Sequence, residues 1–417
     1  MAGGRTRSNS VKQALDQLEP TRELEGTQAR PQKGKQVRAK TNAPAAVPAA
    51  VVNSPLVSWL VEPAESFKLV VAVVALWFAL EQVVSAPSSN PLTPFLFISY
   101  PLGQAPQDGL SNLGSARYGK GPLDLCFLSF YIIVFSFLRQ SLTEYTLRPF
   151  AKSLGLKSDA KVVRFMEQSY AIVYFTASGA LGLYVMSSQD SWWYRTEHLW
   201  LQYPHWRMRA ELKTYYLLQL SYWLQQMLVL ILRLEKPRSD FVELVIHHIV
   251  TLWLVGWSYT LNLTMIGTCI FVSMDIPDVF LALSKCINYL DYKRASEVSF
   301  VIFLCIWHYM RHYLNIRILY SVWNEFDLIP EHWRSWTETP GHPKGWWLFY
   351  EFGSGRLPAW MKYQIFAPIL ALQLVNTFWS ALIWRILFRI LSGQEAKDVR
   401  EEGEDTDEEE TEPKKER

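Results

Sequence analysis

The chain has 417 residues, 50% hydrophobic and 14% aromatic, with 41 Lys and Arg against 39 Asp and Glu. So apolar a sequence excludes disorder of the whole chain, and its net charge of +2 is a cancellation between a basic first stretch and an acidic last one that says little about partners; no nucleic-acid partner is expected. The four cysteines, Cys126, Cys269, Cys286 and Cys305, fall in apolar runs without metal-ligand spacing, and read as small buried hydrophobes rather than as a disulfide framework.

Residues 1–50 carry Arg5, Arg7, Lys12, Arg22, Arg30, Lys33, Lys35, Arg38 and Lys40 among polar residues, Pro and Ala, and read as a disordered basic arm. Residues 51–160 hold the first apolar runs, and no cleavable signal peptide precedes them. Two pieces, Val51–Leu60 and Pro91–Pro101, are too short to cross a membrane and read as interfacial. About eight longer runs have the length of a membrane span. They are Phe67–Val84, Pro122–Leu142, Phe165–Ser187, Leu212–Leu232, Phe241–Leu261, Leu263–Ile287, Val298–Trp323 and Ile365–Leu391. The fold expected is therefore an all-α polytopic membrane protein. Residues 395–417 form an acidic tail ending in Lys414-Lys415-Glu416-Arg417, which has the form of a dilysine signal for return to the endoplasmic reticulum.

Basic residues orient the spans, because Lys and Arg concentrate in cytosolic loops. The arm, the loop with Arg148, Lys152, Lys157, Lys161 and Arg164, that with Arg233, Lys236 and Arg238, and that with Lys285, Lys293 and Arg294 all fall on one side. An even number of spans then places both termini in the cytosol. The opposite loops are rich in Trp and Tyr, as in Trp192-Trp193-Tyr194 and Trp346-Trp347, which suits an interfacial belt.

Ionisable groups inside spans are costly and mark function by default. The fifth span carries His247 and His248, and the sixth carries Asp275 and Asp278 around Pro277. The seventh brings His308, Arg311 and His312, and the fourth Gln225 and Gln226. At the helical rise these groups lie roughly 10–21 Å from the cytosolic ends of antiparallel helices, so they form one candidate zone. Asp275 and Asp278 share a helix face, as do His308 and Arg311, whereas His247 and His248 are about 100° apart. Such a set suits acyl transfer. An imidazole acts as base for an amine or itself attacks an activated acyl group, and a carboxylate orients it or holds a cationic amine.

The stretch Lys236-Pro-Arg238-Ser-Asp240-Phe-Val-Glu-Leu-Val-Ile-His247-His248-Ile-Val-Thr251 resembles the Lag motif of ceramide synthases. The likeness continues through Ser258-Tyr259, Asn262, Gly267, Asp275-Ile-Pro-Asp278 and Ser284-Lys285 to Asn288-Tyr289, and upstream through Tyr215-Tyr216 and Ser221-Tyr222-Trp223. It covers a TLC domain, placed at residues 161–394. The last six or so helices would then form a TLC-type bundle around a buried polar site. The basic arm and dilysine end are similar to the fungal members. Animal members often have His before the first Asp, where this chain has Met274, so no role of that His carries over.

The resemblance implies N-acylation of a sphingoid base by a fatty acyl-CoA in the endoplasmic reticulum membrane. It implies His247 and His248 as the catalytic pair, supported by Asp275 and Asp278. It also implies very-long-chain acyl groups and a small single-span accessory subunit. A second synthase subunit is a further candidate partner, beside membrane lipids. Acyl-CoA is a co-substrate, and no cofactor or metal is expected. His308, Arg311, His312, Gln225 and Gln226 are candidate substrate-binding residues, and Arg238 and Lys285 offer charge to the CoA phosphates. His308-x-x-x-His312 has the form of a di-iron His box, but with His198, His205, His332 and His342 in opposite-side loops too few histidines share its side. The alternative is a lipid transporter or lipid-sensing TLC protein without chemistry, because intramembrane His and Asp also build proton relays.

Overall fold

The computed structural model describes residues 57–83, 90–102, 116–201, 203–205, 207–234, 241–331 and 359–392. The basic arm, the acidic tail with its dilysine end, Lys236, Arg238, Asp240, Trp346, Trp347, His332 and His342 lie outside them.

The eight predicted spans all coincide with helices. They are α1 (Pro63–Val83), α2 (Asp124–Ser153), α3 (Asp159–Ser187), α4 (Ala210–Ile231), α5 (Phe241–Thr260) and α6 (Thr264–Tyr289). Then follow α7 (Lys293–Trp307), which runs through a π-helical turn (His308–Leu314) into α8 (Asn315–Asn324), and finally α9 (Met361–Leu391). Among the described residues, α1, α2, α3, α5, α6 and α9 are long and apolar enough to cross a membrane. The α4 and α7–α8 segments fall short because they carry polar and charged residues. The interfacial pieces contain only the short helices Ser58–Val61 and Thr93–Leu96.

α6 is the central helix. It is the most buried of the six, and it packs on α3 and α7. Small residues allow the close approach. A Cβ on Gly182 of α3 would come within 2.9 Å of Val272 and 2.5 Å of the Tyr215 hydroxyl, and one on Gly267 of α6 would overlap the Tyr216 ring. α1 is the opposite case. It packs on α2 and leaves Phe67, Leu69, Val71, Leu76 and Phe78 exposed, the expected condition of a helix facing lipid.

Lys213 explains how α4 tolerates a charge. It is fully buried, pairs with Asp124 at 2.7 Å, and donates to the carbonyls of Ser99 (2.8 Å) and Gly119 (2.7 Å). The Tyr259 hydroxyl donates to the same carboxylate at 2.8 Å, which ties the start of α2 to α4 and α5. A two-stranded antiparallel pair, Arg117–Tyr118 with Met208–Arg209, closes this end. All four cysteines are free. Cys269 and Cys286 are buried as expected, but Cys126 is half-buried and Cys305 exposed, because an apolar helix in a membrane also presents apolar residues outward.

Candidate active site

A cavity of about 690 Å³ opens among α2, α3, α4, α5, α6, α7 and α9. It falls within the roughly 300–1,000 Å³ typical of small-molecule sites. His247, His248, Asp278, Lys285, Arg311 and Gln226 line it, so three helices, α4, α5 and α6, and the π turn bring these predicted residues together. Its walls differ in chemistry. The α2 wall is polar, with Arg139, Gln140, Thr143, Glu144 and Arg148, and α3 adds Glu167 and Gln168. The α9 wall is apolar, with Trp379, Leu382, Ile383 and Ile386.

α5 supplies both histidines from consecutive positions. The His248 Nδ1 lies 2.8 Å from the Leu244 carbonyl, one turn back. A carbonyl only accepts, so Nδ1 carries the proton and the neutral ring keeps its lone pair on Nε2. His247 is buried between two indoles, with ring centroids 5.6 Å from Trp223 and 5.2 Å from Trp379, and its Nδ1 has no hydrogen-bond partner among the described residues. Trp223 also lies 5.5 Å from His248.

Arg311 enters from the π turn. Its guanidinium pairs with Asp278 at 2.6 Å, donates to the Met274 carbonyl at 2.9 Å and to Asn376 at 3.3 Å, and stacks 4.3 Å from the centre of the Trp307 ring. The bonded carbonyl lies in the turn of α6 that Pro277 interrupts. A buried guanidinium is tolerable only when paired and bonded in this way. Asp278 is the more open partner, with its side chain 24% exposed.

The two aspartates part company. Asp275 is buried and accepts from Ser178 of α3 (2.6 Å) and Gln219 of α4 (2.7 Å), while Asp278 faces the cavity. The pair shares one side of α6, as the spacing implies, but only Asp278 lines the cavity. His308 and His312 also turn away from it. The His308 Nδ1 donates to Leu304, and its Nε2 accepts from Trp384 (2.9 Å) and lies 3.2 Å from the Ser380 hydroxyl, both on α9. His312 bonds Gln373 of α9 through Nδ1 at 2.7 Å, and Asn315 holds the other end of Gln373. The π turn is the cause. Its wider winding stacks His308 on His312, with ring centroids 5.3 Å apart, and sends Arg311 to the cavity alone. Gln225 is buried beside the site and accepts from Gln226 rather than lining the cavity. Among the described residues no group of three or more His, Cys, Asp or Glu is placed to hold a metal.

Sequence reasoning missed Gln140, Glu144, Glu167, Gln168 and the indoles of Trp223, Trp307 and Trp379. The α3 pair could have been found by the same depth argument used for the other spans. The indoles could not, because Trp in a span reads first as packing. Several of these groups are buried without a partner among the described residues. They are both amide atoms of Gln140, Nε1 of Trp223, Trp307 and Trp379, and Nε of Arg311. An unmet buried polar atom costs about 1–3 kcal/mol, so such a concentration around one cavity is the mark of a site rather than of packing.

Residues 164–385 match the family model of the TLC domain. The chain is 39% identical over 317 residues to sphingosine N-acyltransferase lac1 of Schizosaccharomyces pombe, covering 74% of each chain. It is 39% identical over 330 residues to ceramide synthase LAG1 of Saccharomyces cerevisiae, covering 79% of this chain and 74% of that one. To ceramide synthase 4 of Bos taurus it is 31% identical over 246 residues, 58% of this chain and 55% of the other.

Proposed function

We propose that this chain, which belongs to the TLC-domain family and within it to the ceramide synthases, transfers a fatty acyl group from acyl-CoA to the amine of a sphingoid base. One observation carries the catalytic assignment. A single cavity holds both adjacent histidines together with the Arg311–Asp278 pair, between a polar wall and an apolar one.

The polar wall suits the pantetheine arm and phosphates of CoA, with Arg139, Arg148 and Lys285 facing the cavity. Arg238, outside the described residues, is a further candidate for the phosphates from its place in the Lag motif. The apolar wall suits an alkyl chain. Asp278 attracts the substrate ammonium, and Arg311 fixes that carboxylate in place. The amine must lose a proton before it attacks, and the His248 Nε2 is the acceptor that the Leu244 contact prepares. The reaction then needs no cofactor, because the thioester is already activated. Asp275 acts indirectly, by fixing α6 against α3 and α4.

A second route rests on His247. Its unpartnered Nδ1 sits between two aromatic walls, where the imidazole can take the acyl group first and pass it to the amine. The acyl group is proposed as very long, from the likeness to fungal synthases and from the apolar face of α9. The same likeness proposes a single-span accessory subunit and pairing with a second synthase. The positive-inside pattern and the dilysine end propose the endoplasmic reticulum with both termini cytosolic.

The test uses full-length detergent-purified protein with a long-chain sphingoid base and a panel of acyl-CoAs, the N-acyl product being followed by mass spectrometry. Product is expected, and intact-protein mass after acyl-CoA alone shows an adduct only on the covalent route. Binding of both lipids without product, in the presence of the accessory subunit, would instead mark a lipid transporter or sensor.

A further inference from the structure

Acyl transfer from a thioester passes through a tetrahedral species whose former carbonyl oxygen carries negative charge. Soluble enzymes commonly meet that charge with backbone N–H groups. Inside membrane-spanning helices those groups are consumed by the helix itself, so side-chain donors must serve. An indole N–H is a donor only, and it cannot compete for the substrate's proton.

Four indoles elsewhere in the described residues donate to a side chain. Trp200 donates to Ser321 at 2.7 Å, Trp384 to His308 at 2.9 Å, Trp77 to Thr93 at 3.1 Å and Trp193 to Tyr309 at 3.2 Å. The cavity gathers three indoles that do not. Trp223, Trp307 and Trp379 all line it, and their indole nitrogens are buried with no partner among the described residues. Trp307 is occupied through its ring by Arg311. Trp223 and Trp379 remain, one on α4 and one on α9, and they stand edge-on to His247 at 76° and 67°.

We propose that the indole N–H groups of Trp379 and Trp223 form the oxyanion site of the acyl transfer, flanking His247. The inference rests on the thioester chemistry proposed above. The attacking nitrogen's lone pair forms the new C–N bond, and the carbonyl π pair moves to oxygen, where the two N–H groups bind it. Re-formation of C=O then expels the CoA thiolate. The proton lost by the amine passes to imidazole and from there to that thiolate. The oxygen is the same whether the attacking nitrogen is the amine or the His247 ring.

The experiment compares wild type with Trp379→Phe and Trp223→Phe, each keeping an aromatic ring but losing the N–H. Steady-state rates with acyl-CoA are set beside binding of a non-reactive S-alkyl-CoA thioether, which lacks the carbonyl. Loss of an oxyanion donor is expected to lower kcat by about 10²–10³-fold, with KM and thioether Kd nearly unchanged. Should a Phe variant misfold, β-(3-benzothienyl)alanine at position 379 preserves the indole shape and removes only the N–H. Full kcat in both variants, or a loss of thioether binding that parallels the loss of rate, overturns the oxyanion role while the acyltransferase reading stands. Absence of product from folded wild type overturns the acyltransferase reading, and this inference with it.

Discussion

Two histidine pairs sit in apolar helices of this protein, and their surroundings differ. His308 and His312 are held by the last helix through Ser380, Trp384 and Gln373. Among the described residues His247 and His248 share one hydrogen bond, that of His248 to the Leu244 carbonyl, and they face a cavity with Trp223, Trp379 and the Arg311–Asp278 pair. The two aspartates of α6 repeat the contrast, with Asp275 bonded to Ser178 and Gln219 and Asp278 open to the cavity. A buried polar group whose bonds go to its neighbours specifies how helices pack. One that keeps a lone pair or charge toward a cavity is equipped for a ligand.

The comparison can be broken first at Arg311, which belongs to both sides. Arg311→Met leaves Asp278 without its cation and frees the Met274 carbonyl. Breaking a buried pair costs about 3–5 kcal/mol, so a large fall in thermal unfolding midpoint is expected together with loss of product. An Arg311→Met protein as stable as wild type would show that the pair is not structural. Asp275→Ala sharpens the contrast. It leaves the Ser178 hydroxyl without its acceptor at about 1–3 kcal/mol, while Gln219 still donates to Ser178 and Tyr215, and should lower stability while the folded fraction keeps acyl-CoA affinity. A selective loss of substrate affinity with unchanged stability would move Asp275 into the site.

The smallest expected effect lies outside the spans. Burial pushes His205, in the loop before α4, down to about 4. Between pH 4 and 6.5 the unfolded chain then binds more protons than the folded one, so stability rises with pH across this window and is lost as pH falls through it. His205→Gln should flatten that slope in chemical denaturation at pH 4.5 and 6.5. An unchanged slope would assign it to other groups.

Much of this was legible in the sequence, for reasons that particular residues show. Apolar runs specify helices, and Phe241–Leu261 corresponds to a helix over Phe241–Thr260. The predicted second span stops at Leu142, but the helix continues to Ser153, because its extension is polar and escapes a hydrophobicity pattern. Depth along a span could be counted, and it brought His247, His248, Asp278 and Arg311 to one level. Direction around the helix could not. The π turn at His308–Leu314 departs from the α-helical period, so the expected pairing of His308 with Arg311 became one of His308 with His312. Nor does a sequence reveal whether an indole N–H finds an acceptor, since Trp200 and Trp379 differ only in their tertiary neighbours.

The central claim is that the cavity pair performs the transfer and the bonded pair supports the fold. Initial rates of N-acyl product on His247→Ala, His248→Ala, His308→Ala and His312→Ala, each corrected for folded protein, test it most directly. The first two are expected to lose about 10²–10⁴-fold, the range of general acid–base assistance, while the last two stay within several-fold of wild type. Equal losses at all four, or full rates at His247→Ala and His248→Ala, would contradict it.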